Sequence, residues 1–158
     1  MIVFHELHSL RTVISLRPRY AETDQMGVVY HANYLIWFHV ARDAMLDALG
    51  VDVRAAEESG YALPVAESYC RYRASARYGD EVTVSAVPVI EDGQSVSVAK
   101  LRVRYQALSA KTQQVFAEGE TVNVITDRSG KLLLRLPSCF QPMARRIDAA
   151  RSRNVTHE

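Results

Sequence analysis

The chain has 158 residues, a length that suits one domain able to bury roughly 68–70% of its unfolded surface. With 48% hydrophobic residues, 23% charged residues and a net charge of +1, its composition gives no reason to expect nucleic acid or an anionic membrane as a partner. Two cysteines (Cys70 and Cys139) make no disulfide framework, and the five histidines lack the spacing of a metal site, so neither metal nor cofactor is expected.

Reading from the N-terminus, Met1-Ile-Val-Phe-His-Glu lacks the basic start and long apolar core of a signal peptide. No apolar run approaches the roughly 20 residues of a membrane helix, so a cytoplasmic protein that does not insert into membranes is expected. His5 and His8 fall on a terminus expected to be mobile. Residues 12–20 alternate in part and carry β-branched side chains, which predicts a first strand; Pro18 places it at an edge or ends it early. A turn around Asp24 and Gly27 then leads into the longest helical pattern. Tyr34, Trp37, Phe38, Ala41, Met45 and Leu49 recur at intervals of three and four, and Gly50 stands where a left-handed cap is wanted. Residues 51–59 predict a short second helix, capped by Asp52 and stopped by Gly60.

From Ala62 to Thr126 every segment reads as strand. Residues 65–73 alternate, and so do Val82, Val84 and Ala86 ahead of Pro88. Asp92-Gly93 is a strong hairpin signal. Val96 and Val98 then stand in one phase and Leu101, Val103 and Tyr105 in the other, which predicts a bulge near Ala99-Lys100. A turn near Ser109–Thr112 precedes a strand over Val115–Thr126, with Gly119 as a kink. A turn at Asp127–Gly130, a short strand over Lys131–Leu136 and a helical segment from Pro137-Ser138 complete the pattern. The basic tail, Met143 to Arg153, is expected to be a solvated, frayed end rather than a partner-binding helix. Helices early and strands joined by short turns afterwards imply an α+β fold, with one long helix across an antiparallel sheet.

The turn before the helix is where chemistry can be sought. An Asp one turn ahead of an apolar helix is commonly only a cap or turn-former, and the aromatic residues that follow are commonly only core. The combination allows more. Asp24 offers an anion able to act as nucleophile or general base, and Gly27 lets the backbone reverse and approach a ligand. The first amides of the helix point outward without internal partners and can donate to a carbonyl oxygen gaining charge. Such a donor is worth on the order of 3–4 kcal/mol, against roughly 0.3–1 kcal/mol for the helix macrodipole at an exposed end, so the local hydrogen bond dominates. Thioesters are activated enough to be cleaved this way, and no Gly-x-Ser-x-Gly elbow is present.

Glu22-Thr-Asp-Gln-Met-Gly-Val-Val-Tyr-His-Ala-Asn-Tyr34, followed by an aromatic-rich helix and Arg42, resembles the signature of the hotdog-fold acyl-CoA thioesterases. Within them it is most similar to the 4-hydroxybenzoyl-CoA thioesterase family, in the branch associated with the Tol–Pal system. The similarity runs from about residue 12 to 137, leaving a helical tail over about 138–158 in one domain, 1–158. The resemblance implies a long central helix wrapped by a five- to six-stranded antiparallel sheet. It also implies a homodimer or homotetramer whose active site lies at a subunit interface, and an acyl-CoA or acyl-carrier-protein thioester as substrate. Asp24 falls on the catalytic aspartate and His31 on the residue whose backbone N–H polarises the carbonyl. The His31 imidazole either helps protonation or only packs. Gly27, Tyr30 and Tyr34 would lie against the substrate, the two tyrosines either lining the acyl pocket or serving as core.

Two departures limit the transfer. Gln25-Met26 replaces smaller residues, and Asp92-Gly-Gln-Ser95 stands where the hydroxybenzoyl-CoA enzyme has a basic cluster for the CoA phosphates. Arg73, Arg77, Lys100, Arg102 and Arg104 are the substitutes to consider, although charges on strands usually make a solvated face. Hydrolysis of an acyl thioester is the leading expectation. A non-catalytic acyl-CoA or acyl-carrier-protein binder and a hydroxyacyl-thioester dehydratase are its rivals.

Overall fold

A computed structural model describes residues 1–95 and 99–155. Six strands form one antiparallel sheet: β1 (Phe4–Glu6), β2 (Thr12–Leu16), β3 (Val65–Tyr72), β4 (Val82–Glu91), β5 (Lys100–Ser109) and β6 (Val115–Val124). The order is β1–β4–β5–β6–β3, with β2 also against β4. Strand β3 is therefore one edge, and β1 and β2 share the other, β1 against Val89–Glu91 and β2 against Val82–Ala86. The expected first strand ends at Leu16, just before Pro18, and it is an edge strand. The N-terminus is not a loose end: β1 is paired there, which the sequence reading missed.

Pro88 sits inside β4, opposite Val103, rather than ending it. Its carbonyl accepts the Leu7 N–H, so its ring nitrogen faces the same way, toward the break between β1 and β2. No ladder hydrogen bond is forfeited at that point. On β5, Leu101, Val103, Tyr105 and Ala107 are buried in strict alternation, and Val82, Val84 and Ala86 of β4 share their face.

Helix α1 (Ala32–Ala48) lies across this face. Its buried stripe contains Tyr34, Trp37, Phe38, Ala41 and Met45, as the spacing predicts, together with Arg42. The Phe38 ring stacks on Tyr105 with centroids 4.8 Å apart. Gly119 is not a kink but a point of close approach: a Cβ there would stand 2.4 Å from Phe38 Cε2 and 2.7 Å from the Tyr69 carbonyl oxygen. Helix α2 (Val53–Glu58) is capped by Asp52, whose Oδ1 accepts the Ala55 N–H at 3.0 Å.

Two expectations fail near the C-terminus. Residues 131–136 form no strand; Leu132 makes only an isolated bridge with Thr126. The basic tail is a docked helix, α3 (Gln141–Val155), burying Met143, Ala144, Ile147 and Ala150 against the core. Arg146 donates to the Ala48 carbonyl and Arg151 to that of Gln94, so its basic residues tie the helix down instead of solvating it. Val96 and Val98 lie outside the described residues, and with them half of the phase slip from which the bulge at Ala99-Lys100 was expected. Register shifts occur elsewhere, at Ala107/Leu108 and at Val65/Glu67. Among the described residues no helix is long and apolar enough to cross a membrane.

Candidate active site

The turn ahead of α1 is a closed loop. Thr23 and Val29 bridge its base, the Asp24 N–H donates to the Val28 carbonyl, and the Gly27 N–H donates back to the Asp24 carbonyl at 2.9 Å. Gly27 has φ +72°, which a residue with a Cβ rarely adopts. Asp24 is half-buried; its Oδ1 accepts the Met26 N–H at 2.8 Å, and its Oδ2 has no hydrogen-bond partner among the described residues. Gln25 and Met26 are exposed at the tip of the turn. Arg77 reaches this loop, its guanidinium donating to the Gly27 carbonyl at 3.3 Å. The other basic residues considered lie elsewhere. Arg73 pairs with Glu118, Arg102 with Glu120, and Arg104 with both Glu6 and Glu120.

His31 precedes α1 with helical φ and ψ, and no side chain caps the helix. Its N–H has no acceptor among the described residues, leaving an open donor at the helix start. Its carbonyl accepts the Tyr72 hydroxyl at 3.1 Å. Burial, the Cys70 thiol and Tyr34 push that hydroxyl up to about 12, so it stays a donor at neutral pH. The exposed His31 ring packs on Tyr30, centroids 4.4 Å apart. Tyr30 is 48% exposed, whereas Tyr34 is 2% exposed, its hydroxyl oxygen accepting the Ala76 N–H at 3.1 Å. Tyr34 thus anchors the segment after β3 to the helix, and Val29 N–H to Ala76 carbonyl, 2.8 Å, ties the turn to that same segment.

Residues Leu35 and His39 follow His31 at steps of four along α1. They line, with Arg42, Val65, Ser68, Tyr105 and Thr121, a cavity of about 170 Å³ between the helix and β3. It is an open cleft rather than an enclosed space, since Leu35 and Val65 remain 37% and 48% exposed. Arg42 is 4% exposed and pairs with Asp43, with His39 beside it.

A family model described as thioesterase-like superfamily matches residues 18–146, which takes in the Asp24 turn, both early helices and β3 to β6. The chain belongs to that superfamily. Among individual relatives, a Bacillus subtilis protein provisionally named an acyl-CoA thioesterase is 46% identical over 69 residues, 44% of this chain and 50% of that protein. The match thus spans only half of the relative's length. A Thermus thermophilus protein of known structure is 30% identical, with a TM-score of 0.73 over 84% of this chain and 97% of its own. The DHNA-CoA thioesterase of Staphylococcus aureus is 25% identical, with a TM-score of 0.73 over 92% of this chain and 91% of its own. The fold is the hotdog-like thioesterase fold of this superfamily.

Within this member of the thioesterase-like superfamily, Asp24, Gly27, Tyr30 and His31 fall on one short loop, and Tyr34 sits beneath it in the core. Sequence reasoning missed Glu22, Asn33 and Tyr72, whose contacts hold that loop, and considered Arg77 only for the CoA phosphates, not for its contact with the Gly27 carbonyl. Glu22 and Asn33 stood inside the quoted motif, but nothing in a linear pattern tells a carboxylate facing inward from one facing water.

Proposed function

We propose that this thioesterase-like protein hydrolyses an acyl thioester of CoA or of acyl-carrier protein to the free acid and the thiol. Asp24 supplies the carboxylate and the His31 N–H polarises the carbonyl. The observation that carries the reading is that one loop holds both an Asp24 Oδ2 and a His31 N–H without hydrogen-bond partners among the described residues. On the general-base route, Asp24 takes a proton from water as its oxygen bonds to the acyl carbon. The carbonyl oxygen gains charge against the His31 N–H, the C–S bond breaks, and the proton passes to the thiolate. On the nucleophilic route, Asp24 itself bonds to the acyl carbon, the thiolate leaves, and water then cleaves the mixed anhydride. General-base help is worth about 10²–10⁴-fold and a well-aimed donor about 10²–10³-fold in rate.

The names of the Bacillus and Staphylococcus relatives support acyl-CoA as the substrate class. The cavity below Leu35 and His39 offers room for a ring or short acyl chain. The motif from Glu22 to Tyr34 favours the 4-hydroxybenzoyl-CoA family and its Tol–Pal-associated branch. The reading also takes the protein to act in the cytoplasm as a homo-oligomer. The test is a panel of aromatic, short-chain and long-chain acyl-CoAs with Asp24→Asn alongside. The expected result is turnover of at least one ester, lost by on the order of 10²–10⁴-fold in the variant. Equal turnover in Asp24→Asn on the preferred ester overturns the mechanism, and binding without turnover across the panel overturns the activity.

A further inference from the structure

One buried carboxylate has no part in that mechanism. Glu22 stands two residues before Asp24 and is 6% exposed. Its Oε2 accepts the Arg19 N–H at 2.7 Å; its Oε1 accepts the Trp37 indole N–H at 3.1 Å and the Arg19 guanidinium at 3.3 Å. Its backbone carbonyl accepts the Tyr30 N–H at 2.8 Å and the Asn33 side-chain amide at 2.9 Å. A single residue thus joins the segment entering the loop (Arg19), the limb leaving it (Tyr30) and two successive turns of α1 (Asn33 and Trp37).

Burying a carboxylate is costly even when it is paired, and apolar side chains of similar volume commonly stabilise as well or better. What a carboxylate adds is direction, since each oxygen accepts from donors at set angles. Asp24 is two residues after this anchor and His31 is one residue after Tyr30, which the same anchor holds. Both reacting groups are therefore tethered to Glu22 by very short lengths of chain. We propose that Glu22 is a positioning residue that sets the separation of the Asp24 carboxylate and the His31 N–H by clamping both limbs of the loop to α1. This inference rests on the thioester-hydrolysis reading above. It goes beyond it in assigning catalytic geometry to a group that never touches substrate.

The experiment compares full-length wild type with Glu22→Gln, Trp37→Phe, the double variant, and Ile147→Ala as a stability-matched control. Ile147 is buried on α3, near the C-terminal end of α1 and remote from the loop. A glutamine keeps one acceptor but turns its NH₂ toward a site furnished with N–H donors. The expected result for Glu22→Gln is a kcat lowered on the order of 10²-fold with KM little changed, because displacing groups aligned for the transition state costs rate before it costs binding. Trp37→Phe should lower kcat less, and the double variant should be no worse than Glu22→Gln alone. Ile147→Ala should keep its kcat below its own melting temperature.

Hydrogen exchange at the Met26, Gly27 and Tyr30 amides, read by NMR, needs no turnover and should quicken in Glu22→Gln. If wild type hydrolyses nothing in the panel, the functional reading fails while the exchange result still decides whether Glu22 holds the loop. A kcat equal to wild type in folded Glu22→Gln overturns the proposal. So does a kcat loss matched by Ile147→Ala, or unchanged exchange at those three amides. Should Glu22→Gln not fold, Trp37→Phe decides alone: unchanged kcat and exchange there overturn the proposal, and a lowered kcat with quicker exchange supports it.

Discussion

At Glu22, burial and hydrogen bonding pull the carboxyl in opposite directions. Burial raises its pKa, but the Arg19 backbone N–H, the Arg19 guanidinium and the Trp37 indole outweigh it, so the group lies below its ordinary value of 4.5. A depressed folded-state pKa means that the unfolded chain binds the proton first as pH falls. The stability that this carboxylate contributes is therefore complete above about pH 4.5 and is lost as pH drops through the lower folded-state value. Urea melts of wild type and Glu22→Gln at a series of pH values should show their difference largest from pH 5 upward and shrinking below about pH 4.5. A difference that grows on acidification would mean that the interactions around Glu22 favour its protonated form. The same residue shows where sequence reading stops. Asp24 and His31 could be singled out as candidates because they stand in a motif that resembles a family signature. Glu22 could not, because its partner Trp37 is 15 residues away and only the folded loop turns the two toward each other.

Among the elements, α1 was the most legible, because one apolar stripe of period 3.6 fixes both its type and its buried face. Pro88 is accommodated inside β4 because the gap between β1 and β2 lies beside it. Glycine misled in β6 because its local rule ignores what lies across the sheet. Gly119 reads as a kink until the Phe38 ring is seen against it. From this follows an expectation for Gly119→Ala. The added methyl meets a ring held by its stack on Tyr105 on one side and backbone on the other, so neither neighbour can yield cheaply. Overpacking of this kind typically costs about 1–3 kcal/mol, and the shift should appear as a lower urea midpoint with an unchanged m-value. Wild-type stability in that variant would mean that Phe38 has an alternative rotamer within the core. The C-terminal helix was misjudged for a different reason. Its apolar residues, Met143, Ala144, Ile147 and Ala150, keep helical spacing, but the arginines between them dominate the composition.

On the scale of the molecule, the open flank is β3. Its other edge has no partner among the described residues, and seven of its eight residues are exposed. Val65, Tyr69 and Tyr72 on β3, with Leu35, Ile36 and Val40 on α1, leave apolar surface beside the candidate site. An unpaired edge flanked by apolar side chains is a template for another strand, and a second copy of the same strand is the closed, symmetric solution. The Arg73 N–H donates to the Phe116 carbonyl, so residues in phase with it, Tyr69 and Arg71, turn their backbone groups toward β6. Ser68, Cys70 and Tyr72 turn theirs outward. A proline at position 68 therefore removes a donor from the free edge while sparing the ladder to β6, whereas a proline at 69 strikes that ladder. Light scattering should give wild type at least twice the 17.7 kDa chain mass. Ser68→Pro should fold and shift toward the single-chain mass, while Tyr69→Pro should lower the melting temperature. A monomeric wild type at assay concentrations, with specific activity unchanged on dilution, would show that the loop before α1 works without a second copy.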